Sequence, residues 1–279
     1  MALGGLAWLV GLRLPGIALA QELAERMVCA VRLTEDCRNE PLLRAANGDE
    51  VAALLRAHAP ALLYEPGMKT LPVDFRDCRS DACAEGAPEG AVTHTSQGLR
   101  TVAFTHVIDC RRGHVARTEA WGGNCAGSRA GNLYLQYWLY YPGSATAEGS
   151  TPLKGTIRRV STALGHPTYH PDDWEGYHVR IGQGQIFARA TSHHGYNGWE
   201  PDGDGYYISG GSHAGRPLGH PTRSWIRLSS ARTSARSTKD QRLVLIPIET
   251  LSDREGYSFA ISPPWRKRAY FDPEYGGTD

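Results

Sequence analysis

His170-Pro171-Asp172-Asp173-Trp174-Glu175-Gly176-Tyr177-His178-Val179-Arg180-Ile181 opens on acids and continues as a strand-like run. Residues i and i+2 of a β-strand point to the same face. Asp173 and Glu175 therefore point together, and Val179 and Ile181 share their parity. If that apolar parity faces a core, the two acids sit at the inner rim of a sheet. Paired like charges are costly there unless a cation or a basic group neutralises them. His170 precedes Asp173, and two more His-bearing segments follow: Thr191-Ser192-His193-His194-Gly195 and Gly211-Ser212-His213-Ala214-Gly215. Acids on one strand with histidines on its neighbours make a candidate site.

Working outward, the chain reads as mainly β. Tyr, Trp and β-branched runs are separated by Gly, Pro, Asn and Asp, the pattern of many short strands. An antiparallel β-sandwich with helix at its N-terminal end is the expected fold. The helix is expected over Val51–His58, opened by Gly48-Asp49-Glu50 and stopped by Pro60. Strands are expected at Ala61–Tyr64, Leu99–Asp109, Leu133–Tyr141, Glu175–Ile181, Gln185–Ser192, Tyr206–Ser209 and Leu243–Ile248. The aromatic run Leu133–Tyr141 reads as central and covered on both faces. Gly182-Gln183-Gly184 joins two strands as a hairpin, and Pro247 marks an edge strand. Residues 143–155 read as loop and Ile157–Val160 as a helical turn. In Ile186–His194 the Ile186 parity is small and apolar; it faces inward, carrying Ser192 and His194 toward the acids and leaving His193 outside. The expected division is a signal peptide or membrane anchor over 1–20, a helical segment over 21–60 and the sandwich over 61–279.

The 279 residues carry 30 basic and 29 acidic side chains, a balance that points to no nucleic-acid partner. Six basic residues between Arg223 and Arg242 lie among Ser and Thr; they read as a solvated loop, with a surface for anionic lipid or polymer as the alternative. The six cysteines form three local pairs, Cys29 with Cys37, Cys78 with Cys83 and Cys110 with Cys125. Nearest-neighbour disulfides are the simplest of the connectivities that six cysteines allow. Unpaired core thiols and a zinc site are the alternatives, the latter weakened by the lack of any Cys-x-x-Cys pair. Disulfides imply an oxidising, extracytoplasmic compartment. Ala2–Leu12 is an apolar run, and Ala18-Leu19-Ala20 reads as a cleavage site, so the chain is expected to be secreted or membrane-anchored. No basic region precedes that run and Arg13 interrupts it, which leaves a spanning anchor or a packed amphipathic helix open.

His170, Asp173, Glu175, His194 and His213 form the candidate metal set. Carboxylate and imidazole together suit Zn²⁺, Mn²⁺ or Fe²⁺, whereas an oxygen-dominated subset suits Ca²⁺ or Mg²⁺. The alternative is a structural polar network of acids paired with Arg or backbone amides. For a hydrolase, the candidates are a metal-bound water or Glu175 as base with His194 as acid, cleaving an ester or glycosidic bond. Trp174, of opposite parity, reads as packing. Gly210-Gly211-Ser212-His213-Ala214 lacks the second glycine of a nucleophile elbow. Asp202-Gly203-Asp204-Gly205 lacks the downstream Glu of a calcium loop and reads as a turn.

The segment His170-x-x-Asp173-Trp174-Glu175-Gly176 resembles the heptapeptide of secreted necrosis- and ethylene-inducing-peptide-like proteins. That resemblance implies a β-sandwich cytolysin with a divalent cation on His170, Asp173 and Glu175 that engages sphingolipid head groups. That family's further upstream acidic ligand has no counterpart here; the equivalent region is around Thr162. A longer, colinear resemblance runs to the vacuolar protein sorting-associated type sixty-two family. It is carried by His58-Ala59-Pro60, Leu71-Pro72, Gln136–Pro142, Asp173-Trp174-Glu175, Ser192-His193-His194 and Gly211–Ala214. It implies roles for His194 and His213 as further ligands. Ile261–Lys267 is similar to a segment of a group of actinobacterial proteins. The function expected from all this is a cation site binding a glycan or lipid head group, with membrane association. A hydrolase and a structural envelope protein are the alternatives.

Overall fold

A computed structural model describes residues 35–64, 68, 70–86, 93–111, 125–145, 169–192, 195–202, 205–209, 211–218 and 243–277. Its centre is the strand β3, Leu133–Ala145, whose residues from Leu133 to Tyr141 are all fully buried. Alternation along a strand sends Leu133, Leu135, Tyr137, Leu139 and Tyr141 to one face and Tyr134, Gln136, Trp138 and Tyr140 to the other. Burial of both sets means both faces are covered, as the aromatic density of the run implied.

β3 pairs antiparallel with β2 (Val102–Asp109) and with β4 (Tyr169–Gly182), and β4 pairs with β5 (Gln185–Ser192). The short strands β6 (Gly195–Tyr196) and β7 (Glu200–Pro201) both add to β5. β10 (Val244–Pro247) closes the other edge, where Pro247 is tolerated because an edge strand has one unpaired side. The second sheet has three strands, β1 (Ala61–Tyr64), β8 (Gly205–Ile208) and β9 (Gly215–Pro217), in the order β1-β8-β9.

The first face of the large sheet packs on this small sheet and on helix α1, Glu35–Ala57. Leu43, Val51, Leu55, Leu62, Tyr206 and Ile208 meet the odd-numbered residues of β3 and β4 there. The second face is covered by non-strand segments, which bring Phe75, Trp265, Ala269 and Tyr270 onto Phe104, Trp138, Tyr140 and Trp174. Two short helices, α2 (Asp81–Ala84) and α3 (Arg268–Phe271), lie in those segments. The arrangement is a β-sandwich of unequal sheets.

Several expectations are corrected. The sheets are mixed rather than purely antiparallel: β1 runs parallel to β8 and β10 parallel to β2. These partners are far apart in sequence, so long crossovers join them and no hairpin constrains their direction. α1 begins well before Val51; Gly48, at φ 76°, breaks it into two helical stretches, a conformation glycine alone adopts without penalty. Gly143–Ala145 is strand, not loop, because Gly143 and Ser144 pair with Pro171 and His170. Pairing overrides their weak β-propensity. The same pairing starts β4 at Tyr169, so the acids stand inside a long strand rather than at its beginning. Ala188 and Ala190 face inward as expected, but Ile186 is 38% exposed, since the hairpin tip projects beyond the elements that cover the sheet. The hairpin itself turns through Gln183 and Gly184, both at positive φ, as a tight two-residue connection requires. The expected signal or anchor, Ile157–Val160 and Arg223–Arg242 lie outside the described residues.

Candidate functional site

Asp173 and Glu175 project from β4 onto the first face, opposite Tyr141 and Leu139 of β3 in the register. Each is only 7% exposed. The covering sheet supplies their partners. The loop between β8 and β9 turns at His213, which adopts a left-handed backbone at φ 56°. Non-glycine residues are uncommon there, and the conformation persists only where surrounding contacts hold it. Three contacts hold it: the His213 ring stacks on Tyr141 with centroids 3.9 Å apart, Nδ1 lies 2.8 Å from Asp173 Oδ2, and Nε2 lies 2.9 Å from Thr70 Oγ1. The imidazole is wholly buried. Nδ1–H donates to the carboxylate, and Nε2 shares a hydrogen bond with the Thr70 hydroxyl. A hydroxyl, an imidazole and a carboxylate are thus joined in one chain.

Among the described residues Glu175 has no basic partner of this kind. Its Oε2 accepts a hydrogen bond from the Thr191 hydroxyl on β5, and that hydroxyl in turn accepts the Gly176 backbone N–H at 2.9 Å. Burial pushes the Glu175 carboxyl well above the usual carboxylate range, and the neighbouring Asp173 charge pushes it further; the Thr191 bond and the more distant Lys267 act in the opposite sense. Around the two acids stand Tyr64, Tyr141 and Tyr206, all raised above the usual phenol range by burial. The hydroxyls of Tyr64 and Tyr141 are buried without a hydrogen-bond partner among the described residues. A weakly compensated carboxylate beside orphaned hydroxyls is the least satisfied polar region of the first face.

Asp172 turns the other way. At φ 59° it sends its carboxylate to the second face. There it takes Arg79 Nη2 at 2.9 and 3.0 Å, Tyr140 OH at 2.7 Å and the Ala260 N–H at 2.8 Å. This acid is fully satisfied and pins two covering segments to β4; it is structural. The i/i+2 reading passed over it because it considered only the parity of Asp173. Trp174 packs among Phe75, Phe104, Tyr140, Phe259 and Trp265, as a packing residue should.

The structure therefore unites Asp173, Glu175 and His213. His170 lies half-buried with Nδ1 donating to the Pro171 carbonyl at 3.3 Å, and it shares no hydrogen bond with either acid. His194 lies outside the described residues. Among the described residues, no group of three or more His, Cys, Asp or Glu side chains converges as a metal site. Thr70, Thr191 and the tyrosines were missed; the aromatic Tyr141 on β3 was the one available signal, since cross-strand register alone could place it beside Asp173. Ser212 sits on no strand-to-helix elbow. Asp202 accepts Tyr177 OH at 2.7 Å and lies 3.2 Å from His58 Nδ1, a tie between α1 and the sheet.

Cys78 is bonded to Cys83 and Cys110 to Cys125, as nearest-neighbour pairing expected, which removes zinc ligation and free core thiols for these four. Cys29 lies outside the described residues. No described helix is long and apolar enough to cross a membrane.

No protein-family model and no curated protein matches the chain. The vacuolar sorting-type resemblance thus has no matching family model. Among solved structures the chain is similar to the toxin fold described as a basis for microbial attack and plant defense. Identity is 17% over 81% of this chain and 90% of that one, with a TM-score of 0.41. It is likewise similar to NLPPya in complex with mannosamine (17%, 81% and 89%, TM-score 0.41) and with glucosamine (16%, 81% and 89%, TM-score 0.39). These are toxin-fold structures of the necrosis- and ethylene-inducing-peptide-like kind. At this identity and TM-score the likeness assigns neither family nor ligand to this chain.

Proposed function

We propose that the chain is an extracytoplasmic binding module. In this reading Asp173 and Glu175 hold an oxygen-preferring divalent cation, and the cation presents open positions to the vicinal hydroxyls of a glycan, free or as a glycolipid head group. The observation that carries the reading is Glu175: a buried carboxylate beside a second carboxylate, with a threonine hydroxyl for its partner. A divalent ion replaces the proton that burial otherwise forces onto it. The available donors are oxygens, two carboxylates with Thr191 and the phenols near them, while both nitrogens of His213 are engaged by Asp173 and Thr70. That set fits Ca²⁺, Mg²⁺ or Mn²⁺ better than the nitrogen- and sulfur-rich tetrahedron of zinc. The role of His213 is to orient Asp173. The two disulfides support export.

Elemental analysis of exported protein, with calcium titrations followed by thermal unfolding, tests the cation. Binding to a glycan panel and to glycolipid vesicles, with and without chelator, tests the ligand. The expected result is bound metal at unit stoichiometry, with glycan binding lost on chelation and in Asp173→Asn. Metal-free protein whose glycan binding ignores chelator refutes the cation reading.

A hydrolase is the second reading, favoured by one observation: Thr70, His213 and Asp173 stand in the hydroxyl–imidazole–carboxylate order of a nucleophilic relay. Ester turnover that disappears in Thr70→Val without loss of stability is its signature.

A further inference from the structure

The second face of the large sheet carries a row of polar side chains that neither reading uses. His106, Gln136, His178 and Arg189 stand directly opposite one another across β2, β3, β4 and β5. Two of the four are satisfied. Gln136 donates to the Ala269 carbonyl at 2.9 Å and accepts from Trp138 Nε1 at 3.1 Å. His106 is bonded to Glu249 and stacks on Tyr270, centroids 3.7 Å apart.

The other two are not. His178 is 0% exposed and Arg189 2% exposed. Both ring nitrogens of His178, and Nε and Nη2 of Arg189, lack a hydrogen-bond partner among the described residues. The carboxylates nearest Arg189 are committed elsewhere. Glu274 takes Tyr134, Arg180 and Trp199, and Asp272 takes Arg129. Burial pushes the His178 imidazole well below its ordinary range, and Arg189, His106 and Lys267 push it the same way; burial also lowers Arg189, which the nearby Glu274 and Asp272 partly offset. The Arg189 guanidinium is held by ring faces, 4.5 Å from Tyr196 and 4.8 Å from Trp199, and its Nε–Nη2 edge meets no acceptor among the described residues. A buried guanidinium without an acceptor is costly, so such groups are normally paired. The Nε–Nη2 edge is the fork that grips carboxylate and phosphate oxygens in a bidentate manner.

We propose that His178 and Arg189 form a binding site for a small oxyanion, a carboxylate or a phosphate-type group, on the face of the sheet opposite the acid pair. Arg189 grips two of its oxygens, His178 donates to a third, and Tyr196 with Trp199 walls it from water. β6 and the C-terminal residues close the site, Tyr196 N–H bonding to the Gly276 carbonyl at 3.3 Å, so binding follows opening of that contact and is slow. The site is independent of any cation at Asp173 and Glu175.

The test is thermal unfolding and calorimetric titration of the full chain after long incubation with sodium phosphate, sodium acetate or sodium glucuronate. Sodium chloride at equal ionic strength is the reference. A hundredfold excess over Kd raises Tm by about 5–10 °C for a chain of this size. Arg189→Lys keeps the charge but loses the fork and weakens binding at least tenfold; His178→Asn weakens it less. A tighter response to phosphate identifies a phosphorylated ligand, and a tighter response to acetate or glucuronate a carboxylated one. Should the variants fail to fold, the Arg189 Nε–H resonance of the wild-type protein supplies the readout, shifting on anion addition and not with chloride. The proposal is overturned if none of the three anions exceeds chloride in the wild-type protein, or if Arg189→Lys binds as tightly as wild type.

Discussion

Replacing Glu175 with Gln isolates the least compensated group of the site. The amide keeps the shape and the acceptor that Thr191 uses, but it cannot ionise. In the wild-type chain the folded-state carboxyl titrates well above its ordinary value of 4.5 because burial and Asp173 disfavour the charge. Folded protein therefore holds a proton that the unfolded chain releases. The contribution of that proton to stability is fully present below pH 4.5 and is lost as pH rises toward the folded-state pKa. Across that window wild type loses about 1.4 kcal/mol per pH unit relative to the Gln variant. For a chain of this length that corresponds to about 3–5 °C in Tm per pH unit. Urea unfolding of both proteins in chelator at pH 4, 5.5 and 7 measures the difference directly. The two curves are expected to lie close at pH 4 and to separate with rising pH, the Gln variant being the more stable. Adding calcium at pH 7 is expected to close the gap from the wild-type side alone. A stability difference that stays flat from pH 4 to pH 7 would show that Glu175 is not protonated by its surroundings and would remove the physical basis of the cation site.

Asp172→Ala strips Tyr140, the Ala260 N–H and Arg79 of their shared acceptor; with Arg79 partly solvent-exposed, the expected loss is about 2–4 kcal/mol in urea unfolding, and a loss below 0.5 kcal/mol contradicts a pinning role. Replacing Cys110 and Cys125 together with Ser opens a loop of sequence separation 15 and is expected to cost about 3 kcal/mol; the same change at Cys78 and Cys83, separation 5, costs about 2 kcal/mol, and calorimetry giving the reverse order refutes the chain-entropy account.

What the sequence disclosed was what local rules govern. β1, β5, the hairpin at Gln183-Gly184, the edge position of Pro247 and the burial of β3 all follow from period-two alternation, turn chemistry or proline's missing donor. The same parity put Asp173 and Glu175 on one inward face. The errors arose where a distant segment decides. Gly143–Ala145 became strand because Pro171 and His170 arrived opposite it, and the parallel pairs β1–β8 and β2–β10 join segments with no turn between them. His213 was legible as a candidate through its glycine-flanked segment, but Thr70 was not: nothing near Thr70 in sequence reports that a loop between β8 and β9 lands beside it. Arg189 was hidden for a different reason. On a strand with one wet face its parity would have put it in water, and only the covering of both faces buries it.

That double burial also explains how polar residues on β4 divide by role. On a strand without a solvent face, each polar side chain must find a partner or carry a cost. Asp172 finds three groups on covering segments and serves the fold. Asp173 finds His213, a residue held in a left-handed conformation that its stacking and its two hydrogen bonds sustain together. Glu175 finds a hydroxyl and keeps a proton, while the ring nitrogens of His178 and Nε and Nη2 of the adjacent Arg189 have no hydrogen-bond partner among the described residues. Among the described residues Glu175 and His178 are the least satisfied of these groups, and they point to opposite faces. Their chemistry is complementary to different ligands: an acid that gains by exchanging its proton for a cation, and a basic pair that gains an oxyanion. Lys267 influences both, favouring ionisation of Glu175 and opposing a charge on His178. An oxyanion beside His178 makes ionising Glu175 costlier, but a divalent cation there brings twice the opposing charge, so the two ligands do not oppose one another. The two sites share no residue, and phosphate is not expected to weaken calcium binding.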